Sequence, residues 1–445
     1  MNKFFKLEER GTTVRKELIG GLTTFFTMSY IIFVNSGLLG QAGMDMTGVA
    51  VATCLSAIIG TILTAVLANV PFVQAPGMGL NAFFTFTVCF GMGYTWQQAL
   101  AIVLISGILF LVIAVSPLRS KVIAAIPAPL KAAISAGIGL FITFIGLVDS
   151  GFVSFGGGVP ALGPMNGSNL LFIIGLIITI VLVVLKVKGA IFLGILATAV
   201  VGLIPIFGTW DFSGYAGYNL ASIGKISEVA FHFDFNLLAN GSSVIALICA
   251  IMSFTMVDMF DTVGTLLGTA ANAGMLDKDG NLPHGDRALI ADAVATCTGA
   301  CLGTSTVTTY VESASGIAEG ARTGLSSLFA AGMFVLSLFL TPIFDLLSAN
   351  AWYLYAITCP ALIVVGFLMV KGVLKVAWDN LEEGIPCFLT LIMMPFAYSI
   401  SEGIGFGIIS WVIIKLVRGK AKEVSWLMYV LALLFVVKYV LTALL

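Results

Sequence analysis

Long apolar runs recur along the chain at the length of a membrane-spanning helix. Such a helix needs about 20 mostly apolar residues, because lipid offers the backbone no hydrogen-bond partners and a helix satisfies them internally. The pattern predicts fourteen spanning segments, at 19–39, 49–69, 76–92, 97–115, 127–148, 169–185, 189–207, 243–267, 288–304, 306–320, 323–347, 352–372, 385–400 and 403–417. The last hydrophobic stretch, 426–445, is either a further span or a helix at the interface. The sequence therefore predicts an all-α polytopic membrane protein.

The positions of the basic residues orient these segments. If the amino terminus is cytoplasmic, that side holds nearly all of the lysines and arginines, namely Lys3, Lys6, Arg10, Arg15, Lys16, Arg119, Lys121, Lys186, Lys188, Lys278, Arg287, Arg322, Lys371, Lys375, Arg418, Lys420 and Lys422. The opposite loops hold only Lys225. Because cytoplasmic loops carry an excess of Lys and Arg, the asymmetry predicts a cytoplasmic amino terminus. It also supports the count of fourteen, since a wrong count would scramble the alternation.

Composition narrows the function classes. The 445 residues are 59% hydrophobic and 10% charged, whereas a soluble domain is roughly 25% charged. A soluble protein is excluded, and nothing indicates nucleic-acid binding. Residues 1–17 mix Lys, Arg and Glu and precede the first apolar run without a signal-peptide cleavage site. The seven cysteines lie in apolar stretches without metal-binding spacing, so we expect packing roles and no metal or other cofactor.

Two loops on the predicted outer side have unusual compositions. Residues 149–168 are rich in glycine and contain Asp149 as their only charge. Residues 208–242 are rich in aromatic side chains, among them Trp210, Phe212, Tyr215 and Tyr218. Either loop could be a folded cover over the outer mouth or a passive connector.

Segments three and ten are too irregular to be plain spanning helices. In the third, two prolines and two glycines lie between Asn69 and Asn81, and proline disfavours helix both at its own position and before it. In the tenth, a run of Thr and Val ahead of Glu312 favours a strand. The sequence therefore predicts that each segment is a short extended stretch followed by a half-helix.

Paired breaks at matching positions of two halves indicate a transporter binding site. Non-helical backbone at membrane depth occurs only where protein covers it or where it lines a cavity. The predicted half-helix amino ends, near Gly77 and Tyr310, would present backbone N–H groups to a polar ligand. Asn81 lies in the first turn after one break. The glycines alone have a second explanation, which is close helix packing.

A few carboxylates lie inside the apolar segments, where charge is costly and therefore indicates function. Asp258 and Asp261 are three residues apart in segment eight and share a helix face with Thr262 and Thr265. Glu312 follows the break in segment ten. For Asp261, hydrogen bonding to a threonine is an alternative. Asp292 in segment nine is a weaker candidate, and Glu319, Asp345 and Glu402 lie near segment ends, where solvation is the ordinary explanation.

These groups favour a neutral solute with several N–H donors, because an ionised carboxylate only accepts hydrogen bonds. Nucleobases have this chemistry, and the absence of basic residues from these segments argues against an anion. Candidate aromatic partners for a flat ring are Phe83, Phe84, Phe260 and Tyr310, of which Tyr310 is favoured by its position beside the break. Both histidines, His232 and His284, fall in loops, so a coupling proton would bind a carboxylate.

Four motifs resemble a known family: GGLTTFFTMSYIIFVN near the amino terminus, PGMGLNAFF in segment three, VDMFDTVGTL in segment eight and TSTVTTYVESASGIAEGARTGL in segment ten. They resemble the adenine/guanine/hypoxanthine permeases of the nucleobase–ascorbate (nucleobase:cation symporter 2) superfamily. The resemblance runs nearly from end to end of the chain.

The resemblance implies fourteen helices in two inverted seven-helix repeats, with short strands in segments three and ten. A core domain would comprise 1–115 and 208–347, and a gate domain 116–207 and 348–417. Residues 418–445 would form a cytoplasmic linker and a hydrophobic helix. The implied mechanism is proton symport by an elevator-like movement of core against gate, often in a homodimer.

The resemblance also assigns residues. It implies that Asp258 and Glu312 bind the substrate, that Asn81 affects recognition, and that Asp261 is important for activity and proton coupling. Tyr310 and the Val311 amide resemble the ring and backbone contacts of the related bacterial uracil transporter. That relative has a histidine four residues after its acid in segment eight, where this chain has Thr262. Coupling through a histidine is therefore not transferable, and Glu312, Asp258 and Asp261 are the candidate proton carriers.

The sequence thus predicts a proton-coupled importer of purine bases in the inner membrane of a bacterium. One alternative is a channel or facilitator for another small neutral solute. A membrane-embedded enzyme lacks support, because no metal cluster or nucleophile–histidine pattern is present in the sequence.

Overall fold

A computed structural model describes residues 2–117, 125–155, 159–209, 211, 219–238, 244–272, 275–276 and 282–444. Several positions used above lie outside the described residues: Arg119, Lys121, Lys278, Trp210, Phe212, Tyr215 and Tyr218.

The amino-terminal part of the chain comprises α1 (Asn2–Phe5), α2 (Val14–Met28), α3 (Ile31–Gln41), α4 (Met46–Leu67), β1 (Gln74–Pro76), α5 (Met78–Ala82), α6 (Trp96–Val115), α7 (Ala128–Asp149), β2 (Val153–Ser154), β3 (Ala161–Leu162), α8 (Gly167–Val184) and α9 (Ala190–Val201). The rest comprises α10 (Val244–Asn272), α11 (Gly285–Leu302), β4 (Val307–Thr309), α12 (Ser313–Ala318), α13 (Gly324–Ser337), α14 (Ile343–Ala349), α15 (Ala351–Val370), α16 (Leu381–Phe396), α17 (Ile400–Val417) and α18 (Trp426–Leu444). A π-helical stretch, Phe83–Gly91, continues α5, and a 3-10 helix covers Leu220–Glu228.

Among the described residues, eight helical stretches are long and apolar enough to cross a membrane: Val14–Gln41, Met46–Leu67, Trp96–Val115, Ala128–Asp149, Gly167–Val184, Val244–Leu267, Trp352–Lys375 and Ile400–Val417. Shorter apolar helices cover Met78–Gly91, Ala190–Val201, Gly324–Leu340 and Trp426–Val440. The protein is therefore a mostly helical, multi-pass membrane protein.

Side chains at the helix starts explain many of the observed boundaries. A side-chain oxygen at the residue before the helix accepts a hydrogen bond from a first-turn amide at Thr13, Asp45, Thr95, Asn166, Thr323, Asn380 and Ser399. Such caps satisfy amides that have no partner within the helix. At Thr95 the cap is reciprocal, because the Gln98 side chain also accepts from the Thr95 amide.

The first predicted segment is interrupted at Ser29 and Tyr30, which separate α2 from α3. Just before the interruption, the Thr27 hydroxyl lies 3.0 Å from the Thr23 carbonyl oxygen and 2.8 Å from that of Thr24. Hydroxyls that bind backbone carbonyls in this way bend helices. The sequence contains no proline or other strong breaker here, and the interruption was not predicted.

Both predicted breaks contain a strand, and the two strands pair with each other. β1 and β4 are antiparallel, with Gln74 opposite Thr309 and Pro76 opposite Val307. The pairing extends by one bond at each end, because the Gly77 amide donates to the Thr306 carbonyl oxygen at 2.9 Å and the Tyr310 amide to that of Val73 at 3.0 Å. The second half-helix starts at Ser313, not near Tyr310 as predicted, because the Tyr310 amide still belongs to the strand pairing.

The helices pack in two groups. In one, α11 packs against α6 and α4, and α13 packs against α4 and α2. In the other, α15 packs against α7 and α8, and α16 packs against α7 and α17. β1 and β4 lie in the first group, where they contact α4, α10 and α11.

Glycine-rich residues 149–168 contain a small hairpin of β2 and β3. Asp149 does not project into this loop. It ends α7, and its Oδ2 accepts a hydrogen bond from Gln41 Nε2 at 2.7 Å. In the second loop, Lys225 Nζ lies 2.7 Å from Asp345 Oδ1, and this hydrogen bond raises the pKa of the Lys225 amine.

Solvation alone does not explain the acids near segment ends, and that prediction was incomplete. Asp345 pairs with Lys225. Glu319 pairs with Lys188, and Glu402 pairs with Lys438. Each acid therefore ties two parts of the chain together.

The last helix, α18, runs antiparallel to α17. Gly405 lies against Phe435, Phe406 packs against Tyr439, and Glu402 pairs with Lys438. A helix of this length extends about 28 Å, close to the hydrocarbon thickness of a bilayer. This geometry favours a further span over a helix at the interface.

We therefore expect the carboxyl terminus to lie on the side of the membrane opposite the 418–425 loop. In a bacterial host, alkaline phosphatase fused after residue 445 should be active, whereas the same enzyme fused after Lys422 should be inactive. A green fluorescent protein at each position should give the reverse pattern and serves as the control. Equal reporter activity at the two positions would contradict the hairpin.

Candidate functional site

The paired strands bring together residues from four separate elements. Asp258 and Asp261 come from α10, Glu312 directly precedes α12, and Asn81 lies in α5. The Thr296 hydroxyl of α11 lies 2.8 Å from Asp258 Oδ2 and 2.9 Å from the carbonyl oxygen of Val307 in β4. The break in the tenth segment is thereby connected to the acid of the eighth.

Asp258 is buried, and only one of its oxygens is occupied. Oδ2 is bound by Thr296 at 2.8 Å, whereas Oδ1 has no hydrogen-bond partner among the described residues. An unpaired buried acceptor is costly in a closed protein, where most such atoms are bonded. Oδ1 is therefore a vacant acceptor for a ligand donor.

Glu312 and Asp261 are a pair of neighbouring acidic side chains near the same strands. Both are partly buried, and they lie close enough to interact electrostatically. Glu312 Oε1 accepts a hydrogen bond of 2.7 Å from the Tyr30 hydroxyl, and Tyr30 is itself buried. Two carboxylates close together suit a ligand that offers donors or a proton.

Asn81 offers the complementary chemistry. It is fully buried, and its Oδ1 accepts a hydrogen bond from Ser305 Oγ. Its Nδ2 has no partner within the described ranges. The amide is thus held by its oxygen, and its two N–H groups are left to donate.

Tyr310 and Val311 lie where the sequence placed them, but they contribute differently. The Tyr310 hydroxyl donates to the carbonyl oxygen of Pro76 at 2.5 Å, so it ties the two breaks together. The Val311 amide donates no hydrogen bond to any described residue, and the Val311 side chain is 56% exposed. The backbone amide is the group that Val311 can offer to a ligand.

Asp292, ranked from sequence below Asp258, Asp261 and Glu312, has more side-chain hydrogen bonds among the described residues than any of these three. Its Oδ1 accepts from Gln74 Nε2 at 2.9 Å and from Thr309 Oγ1 at 3.0 Å, and its Oδ2 accepts from Thr262 Oγ1 at 2.7 Å. These partners lie on β1, β4 and α10. Asp292 therefore joins the paired strands to the helix that carries Asp258.

Thr262, the residue in the position of the relative's histidine, belongs to the same network. Its hydroxyl also lies 2.8 Å from Thr308 Oγ1. Thr262 thus has two side-chain partners, and through Thr308 it connects α10 to strand β4.

The candidate aromatic partners are mostly core residues. Phe83 is fully buried against Phe254, with ring centroids 4.7 Å apart, and Phe84 is also fully buried. Phe260 points to an apolar cleft between α7, α10, α17 and α18, and Lys131 Nζ lies 5.1 Å from its ring centroid. The contacts of Phe83 and Phe84 indicate packing, so Tyr310 remains the best placed ring.

Sequence reasoning missed Tyr30, Gln74 and Thr296. Gln74 lies between two prolines in the predicted break, and a polar residue at a break in an apolar segment was a usable signal. Tyr30 and Thr296 lie in apolar segments of the sequence without any distinguishing pattern, and only the fold brings them to the carboxylates.

The sequence of this chain matches a known family and several named proteins. The model of the permease family designated Xan_ur_permease matches residues 15–443. The chain belongs to this family. This permease is therefore a membrane transporter and not an enzyme.

The permease is similar over its whole length to proteins with named cargo. It is 43% identical to the guanine/hypoxanthine permease PbuG of Bacillus subtilis, in an alignment of 453 residues that covers 99% of each chain. It is 38% identical to the adenine permease AdeP of Escherichia coli, in an alignment of 442 residues that covers 99% of this chain and 96% of AdeP. The family resemblance inferred from the four motifs is confirmed.

Two solved structures share the fold at low identity. The transmembrane domain of the cyanobacterial bicarbonate transporter BicA aligns with a TM-score of 0.61 at 13% identity, over 88% of this chain and 97% of that one. Murine Solute Carrier 26 family member A9 aligns with a TM-score of 0.62 at 11% identity, over 91% of this chain and 68% of that one. The permease therefore has a transporter fold also found outside its own family.

Proposed function

We propose that this permease imports purine nucleobases. The observation that carries the proposal is a set of groups around the paired strands that no described residue satisfies: the Asp258 Oδ1 acceptor and the donors of Asn81 Nδ2 and the Val311 amide. Glu312 lies beside them, with one oxygen held by Tyr30. Purine bases have ring N–H or amino donors beside ring nitrogen or carbonyl acceptors. The named cargo of the similar permeases, guanine, hypoxanthine and adenine, has this chemistry and supports the choice.

Protons are the proposed coupling ion, with Glu312, Asp258 and Asp261 as carriers. Asp261 and Glu312 lie close together. A pair of close carboxylates favours binding of a proton, because two like charges repel at short distance. Proton binding at either member would therefore depend on whether a substrate donor is present at the other.

The transport movement is proposed as an elevator in which a core domain slides against a gate domain. Two observations support it: the helices pack in two groups, and both strands lie in one of them. The proposed architecture is fourteen segments in two inverted seven-helix repeats, and the antiparallel pairing of β1 with β4, one strand from each half of the chain, supports the inversion. The proposed core comprises 1–115 and 208–347, and the proposed gate 116–207 and 348–417. A homodimer in a bacterial inner membrane, with a cytoplasmic amino terminus, completes the proposal.

The expected result in cells that lack other permeases is accumulation of labelled hypoxanthine, adenine or guanine against a gradient. A protonophore should collapse the accumulation, since coupling to protons is what drives it. Competition of each unlabelled base against one labelled purine ranks the cargo, with uracil as the matched control. Equilibration without accumulation, insensitive to the protonophore, would instead establish a facilitator.

A further inference from the structure

Tyr30 lies at the interruption between α2 and α3 and points to the candidate site. Its side chain is only 1% exposed, yet its hydroxyl is bonded to a carboxylate rather than to the backbone. The partner is Glu312 Oε1 at 2.7 Å, 282 residues further along the chain. A buried tyrosine hydroxyl normally finds one partner, and here that partner is a group we assign to substrate binding.

The contact is held by close packing of α2 against α12. A Cβ atom added at Gly20 would lie 2.8 Å from the Gly316 carbonyl oxygen, so only glycine permits this approach of the two helices. The Thr27 hydroxyl lies 3.0 Å from Ser315 Oγ in the same interface. Tyr30 therefore has a fixed position relative to Glu312.

The hydrogen bond holds one oxygen of Glu312 and leaves the other without a side-chain partner among the described residues. Oε1 accepts from Tyr30, whereas Oε2 accepts no side-chain hydrogen bond within the part of the chain that the structure describes. An ionised carboxylate has two equivalent oxygens and rotates freely unless one of them is held. A donor on Oε1 thus fixes the direction in which Oε2 can accept.

We propose that Tyr30 is a positioning residue for substrate binding, which orients Glu312 so that Oε2 faces an N–H group of the bound base. The hydroxyl also partly offsets the repulsion between Glu312 and Asp261 while both are ionised, because a donor stabilises a nearby carboxylate. The inference rests on the proposed function, since it needs Glu312 to contact the substrate.

Tyr30→Phe removes one oxygen atom and should act on binding alone. Loss of a hydrogen bond to a charged group is expected to raise the KM for purine uptake about tenfold, with the maximal rate per transporter within about twofold of wild type. The measurement is initial uptake over a range of purine concentrations, normalised to the amount of protein in the membrane.

Ser36→Ala is the matched control. It also removes one buried hydroxyl oxygen, from α3, but the Ser36 hydroxyl donates to the Ile32 carbonyl oxygen at 2.7 Å and not to a carboxylate, so its KM should equal that of wild type. If Tyr30 had a merely structural role, Tyr30→Phe would lose maximal rate and thermal stability with KM unchanged.

The outcomes separate the two levels of the proposal. Saturable uptake by wild type with an unchanged KM in Tyr30→Phe overturns the role of Tyr30 and leaves the proposed function intact. Absence of saturable purine uptake by wild type overturns the proposed function and the role of Tyr30 with it. A raised KM in Tyr30→Phe but not in Ser36→Ala supports both.

Discussion

Replacing Glu312 by glutamine is expected to abolish purine uptake while the protein remains in the membrane. Glutamine keeps the size and keeps one oxygen for Tyr30, but it places an NH2 group where the carboxylate would accept from the substrate. Loss of a charge-assisted hydrogen bond, with a substrate donor left facing another donor, corresponds to a loss of about a hundredfold or more in uptake. Asp258→Asn should have a similar effect through Oδ1, which lacks a protein partner among the described residues.

Glu319→Gln is the control, because Glu319 lies at the end of the same half-helix and pairs with Lys188 away from the site. The measurement is initial uptake of labelled purine beside an immunoblot of the membrane fraction. Uptake by Glu312→Gln at the wild-type rate would contradict the assignment of the site.

Replacing Asp292 by alanine is expected to have the largest effect on stability. The substitution removes the acceptor that Gln74, Thr309 and Thr262 share in the protein interior. Thr262 keeps Thr308 as a partner, so the donors of Gln74 and Thr309 are the ones that lose theirs, and at about 1–3 kcal/mol each they cost about 2–6 kcal/mol together. A typical domain has a total stability of only about 5–15 kcal/mol. The strand pair should therefore lose its anchor, and the variant should melt well below wild type.

Asp292→Asn tests whether the hydrogen bonds of Asp292, and not its charge, stabilise the protein. Asparagine keeps one oxygen for Gln74 and Thr309, and its amide can donate to Thr262, so most of the stability should return. Asp286→Asn is the control, because it makes the same change of residue type at an exposed position in the first turn of α11. Its melting temperature should equal that of wild type. The measurement is the melting temperature of purified protein in detergent. A wild-type melting temperature in Asp292→Ala would show that the network does not hold the strands.

The sequence predicts the breaks and their strands well, because their causes are local. Pro71 and Pro76 lack backbone donors, and the Thr-Val run before Tyr310 favours extended backbone, so the two strands follow from residue types alone. The acids were found for the same reason, since a carboxylate in an apolar helix is conspicuous.

The sequence does not predict the partners of these acids. Gln74 and Asp292 are 218 residues apart, and Tyr30 and Glu312 are 282 apart, so only tertiary packing brings them together. Asp292 was ranked low because its threonine partners lie on other segments. Phe83 and Phe84 stayed candidates beside Tyr310 because a phenylalanine in a core and one that contacts a ligand look alike in sequence.

The absence of a histidine near Asp258 in the sequence affects how coupling would work. Thr262 takes that position, and a threonine hydroxyl does not ionise as a histidine does; it is bonded to Asp292 and Thr308. The proposed proton carriers are therefore carboxylates that also bind substrate. Under this account, proton and purine binding share groups, and no separate relay is required.

Equilibrium binding of labelled purine to the purified, detergent-solubilised permease tests the central claim most directly. We expect saturable binding of hypoxanthine, adenine or guanine to wild type and to Glu319→Gln, competition by the other purines and not by uracil, and loss of binding in Asp258→Asn and Glu312→Gln. Undiminished binding in both site variants, or no purine binding to folded wild type, would contradict it.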